Sequence, residues 1–210
     1  MNSDEHISRH LSRAAGRPAR AADGRAAIGR AALAGVAGGL LGSLAMDVFA
    51  RAMRAANGGR EASGAAPGSD RDGRGVQPPQ AEHHAEDDAP SRVGAIAFRA
   101  VTGRPPGRRT RVRLGTAAHY GFGAAAGLLY ALASRRLPAL RAGGGTVYGT
   151  LVWALADEGA IPALGLSRGP RALAPGVHLY ALGGHWAYGA TVECVRRALA
   201  RPRAPHRQLS

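Results

Sequence analysis

The chain has 210 residues and a net charge of +14, and all 28 of its cationic residues are arginine. This length has room for one domain, and the single cysteine, Cys194, excludes an intramolecular disulfide. The aromatics are not interleaved with the arginines on one basic surface, which argues against a nucleic-acid module.

The mean hydropathy of −0.15 averages two unlike materials. The tails and the 51–113 connection are rich in Arg, Gly, Pro, Asp and Glu. Four stretches, Ala31–Met46, Leu114–Ser134, Gly143–Ala156 and Pro175–Val192, carry almost no charge and are closed off by arginines. That layout predicts an all-α integral membrane four-helix bundle spanning residues 31–200. A hydrocarbon core of about 30 Å takes about 20 helical residues. Leu114–Ser134 supplies 21 and Pro175–Val192 supplies 18. Ala31–Met46 is shorter and reaches a full span if Asp47 lies near the interface and the helix continues through Ala50. Gly143–Ala156 needs part of Gly159–Leu166, or a thinned bilayer, to complete it.

In chain order, residues 1–30 predict a basic, disordered cytoplasmic tail or one lying on the membrane surface. Three apolar stretches follow the first one, so Ala31–Met46 predicts a retained span and not a cleaved signal. Residues 57–90 predict a disordered insertion, rich in Gly and Pro and without apolar periodicity. Its tract Glu82-His83-His84-Ala85-Glu86-Asp87-Asp88 has metal-ligating residue types, but no fold to fix their geometry, and reads as a solvated acidic patch. Residues 92–103 predict a short helix. Val93, Ile96, Ala97, Ala100 and Val101 share a face, and that face suits either the membrane interface or the bundle. A tight arginine-rich turn joins the second and third spans, a Pro-rich loop joins the third and fourth, and residues 201–210 form a basic tail. Cys194 predicts a buried or interfacial thiol without a redox role.

Arginine placement sets the expected topology. With the N-terminus inside, the inner segments hold 6, 3 and 5 arginines, against 2 in the short outer loop 157–174. Both termini are then cytoplasmic, in a bacterial inner membrane. The 51–113 connection holds 12 and runs against this bias, though long connections weigh less.

Small residues recur every four positions on each span: Gly35, Gly39 and Ser43; Gly115, Gly123 and Gly127; Gly145 and Gly149; Ala181 and Gly189. Such faces let helix backbones approach closely in lipid. Ionisable residues fall on the same faces, so they are expected to point into the bundle. The halves also echo each other. His119-Tyr-Gly-Phe-Gly123 matches His185-Trp-Ala-Tyr-Gly189, and a Gly-Gly near the start with an Asp near the end marks both the first and third spans. This predicts a duplicated helical hairpin whose copies are related by an axis along the membrane normal.

Asp47, His119, Asp157, Glu158 and His178 should lie toward one side of the membrane, with His185 nearer its middle. Ionisable groups at depth cost several kcal/mol and face interiors or wet cavities. The natural pairs are Asp47 with His119, and Asp157 or Glu158 with His178 or His185. Glu193 should sit at the opposite surface, within reach of Arg196 and Arg197. Histidine titrates near neutral pH, so these residues suit proton or ion movement or a pH response. The competing reading is that they only fix helix register, in a structural or partner-binding membrane protein. A metal-dependent enzyme comes third. There is no G-x-S-x-G, phosphate loop, H-E-x-x-H or paired-Cys site, so no catalytic residue, metal site or cofactor is expected. The expected partners are the bilayer and its anionic headgroups, not nucleic acid. Four short spans make a narrow bundle, and a complete path forms more easily between copies in a homo-oligomer.

Gly184-His185-Trp186, followed by Glu193-Cys194-Val195-Arg196-Arg197 and preceded by three spans, resembles the YagU-like family of uncharacterised bacterial inner-membrane proteins, a domain of unknown function. The resemblance covers roughly residues 30–200. It implies location and span number, and it carries over no catalytic or binding residues.

Overall fold

Alanine and arginine dominate the first 30 residues, and both are strong helix formers. In the computed structural model, which describes residues 3–63, 88–167 and 170–200 with side chains over 24–57, 88–167 and 171–199, that segment is helical. It is the start of α1, Ser3–Ser63. Within α1, Gly24–Asn57 is long and apolar enough to cross a membrane, and it is the one such helix among the described residues. It overruns the predicted Ala31–Met46 at both ends. The rest of the 57–90 insertion, from residue 64 to 87, lies outside the described residues, as do most of the 82–88 acidic tract and the tail 201–210.

The remaining helices are α2 (Ala89–Thr102), α3 (Arg108–Ala133), α4 (Thr146–Leu155) and α5 (Pro175–Ala200), with no strand among the described residues. The fold is all-α. Asp88 caps α2, its Oδ1 accepting from the Ser91 N–H at 2.8 Å, and Gly103 ends it in the left-handed conformation at φ 70°. Gly94 presses on Leu114 and Gly115 on Ser91, so α2 packs on α3 with small residues, while Ile96 and Val101 face outward. The sequence allowed either the bundle or the interface for its apolar face. The helix packs on the bundle, yet that apolar face is the one it leaves exposed.

The third predicted span begins later than its sequence suggests. Gly143, Gly144 and Gly145 have φ of 60°, 66° and 101°, a left-handed run that glycine adopts freely. They belong to the turn, and α4 starts at Thr146. Alone, its 10 residues cover only about 15 Å. A π-turn, Ala156–Ala160, and a further helical turn, Ile161–Ala163, carry the rod onward, through part of the segment the sequence required.

α1 lies in the middle of the packing order, against α3 on one side and α5 on the other; α2 covers α3, α4 covers α5, and α3 and α5 meet through side chains rather than backbone. Glycines set both hairpin contacts. A methyl group at Gly35 or Gly39 would overlap the backbone of Gly127 or Gly123, and one at Gly145 or Gly149 that of Gly189 or His185. Gly39 against Gly123 and Gly145 against Gly189 are the equivalent positions of the two echoing sequence segments, so the two hairpins share one contact geometry. α1 meets α5 through a second glycine edge, Gly38 on Val192 and Gly42 on Tyr188.

The buried core is small and aromatic: Ala126, Tyr130, Tyr148, Tyr188 and Val192. The tyrosines enter it because their hydroxyls find acceptors. Tyr148 donates to the Ala126 carbonyl at 2.6 Å and Tyr188 to the Gly123 carbonyl at 2.7 Å. A carbonyl has two lone pairs, so it can serve both its helix N–H and the tyrosine. The large aliphatics are on the outside: Leu33 is 74% exposed, Leu129 62%, Leu155 71% and Leu179 69%.

Candidate functional site

One end of the bundle gathers carboxylates and histidines; the other gathers a carboxylate and arginines. At the first end, Asp47 leaves α1 one turn beyond Ser43 and faces α3. Its Oδ1 lies 3.8 Å from His119 Nε2, and its Oδ2 accepts from Tyr120 Oη at 2.9 Å. The other two pairs join α4 to α5. The π-turn carries both Asp157 and Glu158. Asp157 Oδ2 lies 3.8 Å from His185 Nδ1, and Glu158 Oε1 lies 2.6 Å from His178 Nδ1. The sequence left the second set of partners open; the structure pairs Asp157 with His185 and Glu158 with His178. π-turns of this kind occur frequently at functional sites.

The proton on His185 can be placed. Nδ1 is 2.9 Å from the Ala181 carbonyl oxygen, which only accepts. Nδ1 therefore donates, and Nε2 is the nitrogen left to take up or release a proton. His119 Nε2 is buried and has no hydrogen-bond partner, with Asp47 just beyond hydrogen-bonding distance. In both cases imidazole and carboxylate stand close enough to interact and too far apart to share a proton in this arrangement.

His119, Asp157, Glu158, His178 and His185 all line one cavity of about 570 Å³. Asp47 reaches it through His119. The walls are otherwise mainly apolar, from Met46, Phe122, Val152 and Val177, with Tyr188 at one edge. Val93 of α2 and Leu166 of the following loop close it over, and Arg92 ties the two elements by donating to the Leu166 carbonyl at 3.4 Å. Ser43, 1% exposed, lines the same cavity, and its hydroxyl has no partner. Among the described residues, no group of three or more histidine, cysteine or acidic side chains could hold a metal ion.

The opposite end is closed. Glu193, 1% exposed, accepts from Tyr130 Oη at 2.6 Å, from Arg196 at 2.6 and 2.7 Å, and from Arg197 at 2.6 Å. Burial alone would raise this carboxyl, but the bonds from Arg196, Tyr130 and Arg197 outweigh it and hold it down to about 2. Arg141 donates to the Ser134 carbonyl beside it. Cys194 is exposed next to this cluster.

No family model, curated protein or solved structure matches this chain. The resemblance to the YagU-like family therefore rests on the quoted motif residues alone.

Several members of this site were not singled out from sequence. Ser43 was assigned to packing, yet it also lines the cavity. Tyr120, Phe122 and Tyr188 lie inside the two echoed motifs, and the aromatic positions of that echo were the available signal. Tyr130 had none, because its partner Glu193 is 63 residues away.

Proposed function

We propose that this chain is a non-enzymatic, multi-pass protein of a bacterial inner membrane whose histidine–carboxylate cavity takes up and releases protons from one side. The membrane part of the reading is supported by the inside-out distribution of side chains. Leucines face outward while alanines, glycines and hydroxyl-bonded tyrosines fill the interior. In water, so much exposed aliphatic surface would drive association; in lipid it is neutral, and close backbone contact does the packing. α1 supplies one span by its own composition, α3 and α5 pack against it, and the extended α4 rod packs on α5.

The observation that carries the proton-handling part is the convergence of three histidine–carboxylate pairs on one cavity. Imidazole changes charge between about pH 5 and 8, and a carboxylate close by keeps the added proton affordable at depth. With the other end sealed by Tyr130, Glu193 and two arginines, the arrangement favours a one-sided pH-responsive site over an open pore. The competing reading, in which these pairs only lock helix register, is separated by titration.

In detergent or nanodiscs, the imidazole NMR signals of His119 and His185 should move with pH as the rings gain and lose protons. Proteoliposomes should dissipate an imposed pH gradient faster than empty vesicles, and His119→Ala and His185→Ala should slow that dissipation. Silent histidines together with absent flux, in variants that merely unfold more easily, would leave only the structural role. Carbonate washing should leave the protein in the vesicle pellet; its release into the supernatant would remove the membrane reading altogether.

A further inference from the structure

We infer that the cavity binds a lipophilic organic cation, an apolar body bearing one dispersed positive charge, in exchange for protons held by its histidines. The inference rests on the proton-handling reading above and names the ligand class of the same site. Four observations converge on it. The volume of about 570 Å³ falls within the range of small-molecule sites, which are mostly apolar with a few placed polar groups. The walls contributed by Met46, Phe122, Val152 and Val177 suit a hydrocarbon or aromatic body. The Ser43 hydroxyl, buried and without a partner, offers an oxygen in the same space. Such an orphan costs free energy until something satisfies it.

The fourth observation is the choice of counter-ions. At the closed end, a carboxylate that must stay neutralised is held by two arginines. Around the cavity, the ion-pair partners of Asp47, Asp157 and Glu158 among the described residues are histidines. An arginine is a permanent cation and cannot be displaced by pH; a histidine can lose its charge.

His119, Asp157, Glu158, His178, His185 and Tyr188 line the cavity, and further charged and titratable groups stand beside it. α1 brings Asp47, with Arg51 one turn on. α2 brings Arg92, engaged with the Leu166 carbonyl. α3 brings His119 and Tyr120, and the π-turn brings Asp157 and Glu158. α5 brings His178, His185 and Tyr188. With the histidines neutral, the three carboxylates outnumber the two arginines nearby, Arg51 and Arg92; with all three histidines protonated, the six paired groups cancel and that excess of negative charge is gone. An external cation and the histidine protons therefore compete for the same carboxylates, and an anion of equal shape is disfavoured while the histidines are neutral.

Tetraphenylphosphonium is a suitable probe because its own charge does not change with pH, and tetraphenylborate is its charge-reversed match in shape. With full-length protein in detergent, the phosphonium should bind saturably at about pH 8 and at least about tenfold more weakly at about pH 5.5. In unbuffered solution its binding should release protons, and the borate should not compete. Glu158→Gln and Asp157→Asn should each weaken binding about tenfold.

Should those variants fold poorly, Ala160→Trp provides an independent arm. Ala160 is exposed yet lines the cavity, so the added ring should block binding while all the carboxylates remain. Equal binding of borate and phosphonium, unchanged affinity in Ala160→Trp, or phosphonium binding without proton release would each overturn the inference. Titrating histidines with no phosphonium binding would sink it alone and leave the proton-handling reading standing. Silent histidines would remove both.

Discussion

Glu193 shows how one side chain can settle the character of a whole end of the bundle. Four short hydrogen bonds from Tyr130, Arg196 and Arg197 hold it ionised, with its carboxyl at about 2 against an ordinary 4.5. Because the folded value is the lower one, its contribution is complete above about pH 4.5 and is lost as pH falls toward 2. The gap corresponds to roughly 3 kcal/mol. Thermal unfolding in detergent should therefore show wild type losing stability over that acid window, while Glu193→Gln, already weaker by about 3 kcal/mol at neutral pH, changes less. Tyr188→Phe belongs to the same scale. It removes a buried donor to the Gly123 carbonyl and should cost about 1 kcal/mol, because the carbonyl keeps its helix bond. Glu193 and its arginines were readable from sequence, since i,i+3 and i,i+4 spacing puts them on one helix face. Tyr130, on another helix, was not. Local spacing reveals partners on one element; it does not reveal which residue of a distant element arrives between them.

At the scale of elements, the glycine faces carry the argument. Gly39→Leu and Gly189→Leu would each drive a side chain into the facing backbone. Either should lower stability by at least about 1–3 kcal/mol, measured as a fall in the midpoint of thermal unfolding in detergent. Gly121, whose added methyl group would meet nothing within 4 Å, should accept alanine without loss. The Gly35/Gly39, Gly123/Gly127 and Gly145/Gly149/Gly189 faces were legible because a four-residue repeat is a direct geometric signal. The second edge of α1, Gly38 and Gly42, has the same spacing and was overlooked, because in a chain with 31 glycines one pattern masks its neighbour. The helix boundaries were less legible. Gly143–Gly145 looks apolar to a hydropathy count but is bent by its left-handed backbone, and the π-turn under Asp157 and Glu158 leaves no mark in the composition.

Across the whole molecule, the titratable groups sort into two clusters. Asp47, His119, Asp157, Glu158 and His178 share one end, and Glu193 occupies the other. The arginine bias proposes the end with Glu193 as the cytoplasmic one, and the chain carries its own reporter for testing that. Cys194 is the sole cysteine and is exposed beside the arginine end. A membrane-impermeant thiol reagent should label it in inverted vesicles and leave it untouched in intact spheroplasts; the reverse pattern would turn the cavity toward the cytoplasm. The pairing of Asp157 with His185 and of Glu158 with His178 could not be chosen from sequence, because the choice depends on how far the π-turn rotates two adjacent carboxylates. The central place of α1 has a last consequence. Since α3 and α5 bring no backbone surfaces together and meet through side chains such as Tyr130 on Glu193 and Tyr188 on the Gly123 carbonyl, α1 is the keystone of the arch. A chain shortened to begin beyond Gly42 should keep two helix pairs tethered only by their tyrosines, each with a newly bared glycine flank and no backbone to lay against it.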